Sequence, residues 1–321
     1  MFFERSKLLG VVAGATIAAF TTFHGDIVVA KASKADISAA VSIDKSLQQS
    51  ARQFYASRKF APIWVGKKNK ARAKALLQAI ANADDHGLPA DSYRYDDLKT
   101  ALNSNQGNTS AAGEVLATRI FLKYAHDLSS GILEPRKVDK EIAVQPPRRS
   151  EVALLQAIAK SSPGGFFRAL VPTHPEYARL FEEKQRLEKL IGRGGYGPKV
   201  PVATLKPGTS SKNVVAMRAR LSALGYGRLG NDTAFDDNLV SVVQQFQTDH
   251  GMKADGVAGP GTLKMMNVSA QQRLQQVLVN MERERWMNRF TRTYRAAVIL
   301  ARTVMRYQPS MMIWCASWST L

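Results

Sequence analysis

The chain has 321 residues, 45% apolar and 22% charged, with 45 basic side chains against 26 acidic ones and a single cysteine. That composition excludes wholesale disorder and an internal disulfide, and the length is expected to divide into at least two folded units. The net charge of +19 is uneven, and residues 33–286 alone hold 37 basic and 24 acidic side chains. Inside a cell such an excess would point to nucleic acid; an exported chain meets anionic wall and anionic lipid instead. A solvated basic face with no specific partner is the plain alternative.

The amino-terminal stretch places Arg5 and Lys7 before an uncharged run, Leu8 to Phe23, followed by small-residue sites around Ala30 and Ala32. This is the layout of a secretory signal over residues 1–32. The run is short and rich in Ala, Gly and Thr for a membrane span, although an uncleaved segment would anchor the protein. No later stretch approaches membrane length, so the mature protein is expected to be soluble and exported.

From Ile43 to Asp127 the apolar spacing is helical. Leu47, Ala51, Phe54 and Tyr55 share a face, as do Ala75, Leu76, Ile80 and Ala83, and then Val115, Ile120, Leu122 and Tyr124. In "ADDHGLP" Gly87 suits a left-handed cap, Leu88 a hydrophobic fold-back and Pro89 a stop. A second helical stretch, Val152 to Leu170, is interrupted by "SSPGG" at 161–165, and a further helix is expected with Thr173 as N-cap and Glu176 three residues on. Its face is Tyr177, Leu180, Phe181, Leu187 and Ile191. Glycines and prolines between 192 and 208 then predict a linker.

Beyond it lies a compact three-helix pattern. Ser211 is placed to cap a helix with Val214, Met217, Leu221 and Leu224 on one face, ended by Gly225. Asp236 and Asp237 sit at a helix start, followed by Leu239, Val242, Val243 and Phe246. Gly251 and Met252 repeat the cap and fold-back, Asp255-Gly256 forms a turn, and Pro260 suits the first position of a last short helix.

The segments "MRARLSALGY" (217–226), "FDDNLVSVVQQFQTDHGM" (235–252) and "DGVAGPGTL" (255–263) resemble the small peptidoglycan-binding domain of bacterial wall enzymes. "FYASRKFAPIWV" (54–65), "ALLQAIANADDHGLPADSY" (75–93), "DLSSGILEP" (127–135) and "HPEYARL" (174–180) look like the helical scaffold domain of the large periplasmic L,D-transpeptidases. "VLVNMERERWM" (277–287) resembles the segment leading into their catalytic domain. The resemblance covers roughly residues 43–287. It implies a relative of enzymes that crosslink peptidoglycan stem peptides through a cysteine thioester.

That family's catalytic domain carries an upstream histidine and a Ser-x-Gly-Cys-x-Arg motif, because a thiolate needs a proton shuttle and an oxyanion turn. Here Cys315 follows Ile313-Trp314, has Ser317 two residues on, and no histidine follows His250. Cys315 is therefore not assigned as a nucleophile, and no catalytic residue is assigned. Residues 288–321, with clustered Trp and Met and no acid, are expected to be an irregular, out-of-frame tail. The helix Leu274 to Arg285 is expected to lack the domain against which it would pack.

Two "DHG" repeats, Asp84-Asp85-His86-Gly87 and Asp249-His250-Gly251, suggest metal ligation or helix capping; a cationic imidazole at a helix end favours capping. No metal or other cofactor is assigned. Tyr226, Arg228, Asp255 and Thr262 are the candidate glycan or peptide contacts, since turns and rim aromatics present backbone donors. Equally, Asp255 and Thr262 would shape a turn and cap, and Tyr226 would close the core. Trp64 and Trp286 are expected to be packing anchors.

The expected fold is mainly α: a signal peptide at 1–32, a helical scaffold domain at 43–192, a linker at 193–207, a peptidoglycan-binding domain at 208–268, a helix at 269–287 and the irregular tail. The expected function is peptidoglycan binding outside the cytoplasm, in the periplasm, without nucleic acid. The alternatives are an active L,D-transpeptidase if its catalytic domain is restored in frame, and a basic adaptor for acidic surfaces.

Overall fold

The computed structural model describes residues 32–103, 107–201 and 203–287. The stretches expected to be a signal segment and an irregular tail, with Cys315, lie outside the described residues, apart from Ala32. The described chain is mainly α-helical, as the apolar spacing predicts. Among the described residues no helix is long and apolar enough to cross a membrane. The chain divides into two compact units: the larger holds 32–185 and 274–287 of the described residues, the smaller 186–273.

In the larger unit α1 (Lys34–Ile43) opens with a capping box, Ser33 Oγ accepting from Asp36 N while Asp36 accepts from Ser33 N. It is followed by α2 (Gln49–Ser57), α3 (Lys70–Ala81), α4 (Tyr95–Asn103) and the long α5 (Gly107–Ser130). α1 and α4 pack along α5. α5 buries Val115, Phe121, Leu122, Ala125 and Leu128, and also Glu114, Thr118 and Ser129, so its polar residues enter the interior with its apolar ones. Apolar burial on so many sides marks it as the unit's central helix. α6 (Pro135–Val138) is a single turn, and α7 (Glu151–Lys160) and α8 (Pro163–Leu170) pack on α2 and α3. The "SSPGG" interruption is narrower than expected, because Pro163 takes the first position of α8 and its two glycines are helical.

α9 (Pro175–Gly192) starts one residue later than expected. Its flanking residue is His174, whose Nδ1 accepts from Glu176 N at 3.3 Å, so Thr173 is not the cap. Tyr177 and Leu187 are buried on its face, but so is Lys184, a cation that apolar spacing passes over.

The larger unit ends on the second part of α13 (Ala270–Trp286), and here the expectation of an unpartnered helix is overturned. Met281 is fully buried and Arg285 is 1% exposed. Arg285 donates to Glu282 Oε2 at 2.9 Å, to the His86 carbonyl and to Tyr177 Oη. Glu282 Oε1 accepts from Leu133 N at 2.8 Å and from Trp286 Nε1 at 2.9 Å. The helix is thus fixed to its own unit by the bonds that this buried pair makes to Leu133, His86 and Tyr177. Gly87, at φ +66°, lets it approach: a Cβ there would lie 2.5 Å from Leu278.

In the smaller unit α10 (Lys212–Ala223), α11 (Asp237–Asp249) and α12 (Pro260–Met266) close a core of Val214, Met217, Leu221, Leu239, Val243, Phe246 and Leu263. The stretch expected to be a linker joins that core, with Val200 and Leu205 buried in it. Leu205 exchanges both backbone hydrogen bonds with Ala258, at 3.1 and 3.0 Å, and Asn267 Oδ1 and Nδ2 clamp Val200 N and O at 2.9 and 2.8 Å. Glycine and proline content predicted irregular backbone correctly, but irregular backbone with apolar side chains packs rather than tethers.

Candidate functional site

The sequence-predicted site residues fall in the smaller unit, around α11. Asp236 caps α11 by accepting from Leu239 N at 2.8 Å, and that N–H, with Arg218 beside it, holds the carboxyl below its ordinary range. Arg218, 2% exposed, donates to Leu229 O at 2.9 Å, Ala234 O at 2.7 Å and Asp236 Oδ2 at 2.7 Å. One guanidinium therefore organises the whole loop between α10 and α11. Arg228 sits exposed on that loop.

At the other end of α11, Gln247 is 2% exposed and its amide is the centre of a closed network. Nε2 donates to Asp255 Oδ1 at 2.9 Å, Val257 O at 3.0 Å and Thr262 Oγ1 at 3.3 Å, and Oε1 accepts from Gly256 N at 2.9 Å. Asp255 Oδ1 also accepts from Val257 N at 3.0 Å; these two contacts lower its pKa, the Val257 N–H most. Gly256 has φ +71°, and a Cβ there would meet Val240 Cγ1 at 2.8 Å. Both the conformation and the space demand glycine. The structure brings Asp255 and Thr262 together on one buried amide.

Thr262 is 4% exposed with its hydroxyl turned to Gln247, so it shapes the turn and is not a surface contact. Tyr226 is half-buried: its ring meets Phe246 edge-on at 5.5 Å and its hydroxyl donates to Asp249 Oδ2 at 3.0 Å. Burial first, then Asp249, pushes its pKa up to about 12. Tyr226, Arg228 and Asp255 thus remain at the surface, at three places set by α11 and the loops around it.

Both "DHG" segments close helical turns. Gly251 N bonds Thr248 O and Met252 N bonds Gln247 O, while His250 Nδ1 donates to Phe246 O at 2.8 Å and Nε2 accepts from Arg273 at 3.1 Å. Gly87 N bonds Asp84 O and Leu88 N bonds Ala83 O in the same way. A cationic imidazole at position 86 is, however, corrected by its surroundings. Burial, then the charges of Arg285 and Lys184, lowers the His86 pKa to about 4, and its Nδ1 lies 3.2 Å from Tyr177 Oη. Among the described residues no cluster of three His, Cys, Asp or Glu is placed to hold a metal ion.

Sequence reasoning missed Arg218, Arg220 and Gln247. Arg220 is 3% exposed and donates to Met266 O, Gly197 O and Val268 O at 2.9–3.0 Å, over the Tyr196 ring. The signal was faint: both arginines flank the apolar positions Met217 and Leu221 on α10, which ordinary amphipathic spacing assigns to solvent.

Comparison with known proteins follows the same division. Residues 49–183 match the family model described as "Scaffold domain", and residues 210–266 match that described as "Putative peptidoglycan binding domain". A curated relative, "Probable N-acetylmuramoyl-L-alanine amidase" of Bacillus licheniformis, is 36% identical over 67 residues, 20% of this chain. The chain spans only 19% of that relative's length. It therefore combines regions similar to a scaffold domain and to a peptidoglycan-binding domain.

Proposed function

We propose that this is an exported, periplasmic peptidoglycan-binding protein related to the L,D-transpeptidases, with the scaffold domain at 43–192 and the binding domain at 208–268. The observation that carries the reading is the occurrence, in one chain, of a scaffold-like region and a peptidoglycan-binding-like region whose turn is built on the Gln247 amide. Tyr226, Arg228 and the Asp255 turn are the contacts: an exposed guanidinium and a rim aromatic suit the carboxylates and sugar faces of a muropeptide. Thr262 supports the turn from within. No catalytic step is assigned to the described residues, and the cysteine acyl transfer of the family is not attributed to Cys315.

Pelleting the purified chain with isolated sacculi tests this. The expected result is co-sedimentation that survives about 0.3 M salt, where a Debye length of a few Å screens surface attraction. A chain that stays in the supernatant at low salt overturns the reading. One that binds only at low salt reduces it to charge attraction.

A further inference from the structure

A cleft of about 300 Å³ opens on the larger unit, at the small end of the range for ligand pockets. Two buried leucines, Leu47 and Leu122, give it an apolar surface. Arg119, Lys123 and His126 line it from α5, at the four- and three-residue steps that share one helix face. Gln48, just before α2, and Glu151, the first residue of α7, complete the polar lining.

The two ends of that stripe differ in what they offer. Arg119 is held by one nitrogen: Nη1 donates to Asp44 Oδ2 at 3.1 Å and to Ser46 Oγ at 2.8 Å. The guanidinium is thereby fixed, while its Nε and Nη2 edge, which grips a carboxylate with two parallel bonds, has no acceptor among the described residues. At the other end His126 Nε2 donates to Arg149 O at 3.1 Å, which sets the imidazole beside the start of α7 and Glu151. In the neutral ring Nδ1 is then an acceptor. Glu151 Oε2 accepts from Ser50 Oγ, and its Oε1 has no donor among the described residues. Lys123, between the two ends, is already engaged, with Nζ 2.6 Å from Asp127 Oδ2 and 5.0 Å from the centre of the Tyr93 ring.

We propose that this cleft binds a free peptide of about two or three residues by both charged ends, its carboxylate on the Arg119 edge and its ammonium on Glu151 and His126. The length follows from α5. His126 lies seven residues after Arg119, a rise of about 10 Å, and an extended peptide covers about 3.5 Å per residue. The Gln48 side chain makes no capping bond to α2, so its amide is left to meet a peptide group, and the two leucines receive small side chains. Charge balance disfavours a polyanion here despite the basic chain. Arg119 and Lys123 are each paired with an acid, Asp44 and Asp127, and Glu151 adds a third carboxylate. A ligand with one charge of each sign matches that lining. The site belongs to the larger unit and is independent of the loops around α11, so it goes beyond the binding proposed for the smaller unit.

Calorimetric titration of the full chain with Ala-Ala and Ala-Ala-Ala, against N-acetyl-Ala-Ala and Ala-Ala amide, is the test. The unblocked peptides should bind, and each blocked form, lacking one charge, should bind roughly tenfold or more weakly. Arg119→Lys keeps a donor for Asp44 and Ser46 but has no two-nitrogen edge, and Glu151→Gln keeps an acceptor for Ser50 without the charge. Each should weaken Ala-Ala roughly tenfold, whereas Glu141→Gln, exposed and outside the lining, should change it less than about threefold. Arg119→Lys should leave Ala-Ala amide unaffected, because that peptide has no carboxylate to place; a merely structural role would weaken both. Equal binding of blocked and unblocked peptides, unchanged binding in either variant, or tighter binding of inorganic phosphate than of Ala-Ala overturns the proposal. Should a variant misfold, the parent decides: Ala-Ala should shift the His126 ring resonances in an NMR titration, and unmoved resonances overturn it. Sacculus pelleting is scored separately, so peptidoglycan binding stands or falls on its own.

Discussion

In the larger unit the irregular stretch 62–66 is held from inside by an anion; in the smaller unit the irregular stretches on either side of α10 and after α12 are held by cations. Glu114 gathers three backbone N–H groups and the Tyr55 hydroxyl. Arg218 and Arg220 instead gather carbonyl oxygens, five between them, and Gln247 serves both kinds of group. Helical units leave loop backbone without the ladder partners that sheets provide, and buried loop amides must still be satisfied. Both units meet that demand with single long polar side chains, so stability is concentrated in a few residues that contribute little apolar area.

Breaking the anionic anchor should cost most. Glu114→Ala removes the acceptor of four buried donors at once, and about 4 kcal/mol of stability should be lost from the larger unit. Glu114→Gln keeps one acceptor oxygen and should lose roughly half as much. Urea unfolding followed by fluorescence of Trp64, which is fully buried beside this network, reports that unit. A loss below about 1 kcal/mol in the alanine variant would show that water replaces the carboxylate, and the contrast between the units would dissolve.

The two units should also part company in acid. Folding lowers the His86 pKa from 6.5 to about 4, so the unfolded chain binds the extra proton between those values. The stability this contributes is complete above pH 6.5 and is lost as pH falls through about 4, amounting to about 3 kcal/mol. Glu114 and Asp85, both pushed up chiefly by burial, act in the opposite direction, so the quantity to measure is the difference between the parent and His86→Gln. That difference should grow as pH falls from 6.5 to 4. The smaller unit's Asp236 and Asp255 are held low by hydrogen bonds, so their contribution is lost only below the ordinary carboxylate value of 3.8.

Apolar spacing made the helices legible, and glycine with proline made their ends legible: Gly87, Gly251 and Pro260 each do what the residue type dictates. What spacing could not show is where a polar side chain turns inward. Ser211 stands at the predicted cap of α10 but makes no capping bond there, and its Oγ is buried without a partner among the described residues. Arg220, Lys184 and Arg285 read as solvent-facing charges, yet each is almost fully buried, because its partners come from segments remote in sequence or from loop carbonyls. The pairing of Asp255 with Thr262 was half visible for the same reason. Both residues were singled out, but the glutamine that joins them lies on a helix and has no turn signature of its own.

Arg220→Met tests the cationic side of the comparison. It preserves much of the side-chain volume while leaving the Met266, Gly197 and Val268 carbonyls without their donor, and about 2–3 kcal/mol should be lost from the smaller unit alone. A matching loss in the larger unit's transition would mean that the units do not unfold independently.

The smallest effects separate shape from contact at the proposed binding surface. Tyr226→Phe removes one half-buried hydrogen bond to Asp249 and should cost about 0.5–1 kcal/mol while leaving the ring against Phe246. Arg228→Ala, on an exposed loop already fixed by Arg218, should change stability by less than about 0.5 kcal/mol yet weaken sacculus binding several-fold. Gln247→Leu should weaken binding too, but through a loosened Asp255 turn and with a fall in melting temperature. If binding tracks stability across all three variants and Arg228→Ala is silent, the loops around α11 are scaffolding and the contact surface lies on another face of the smaller unit. If Arg228→Ala lowers binding at unchanged stability, the guanidinium itself meets the ligand, and the ordered loop beneath it exists to hold that charge in place.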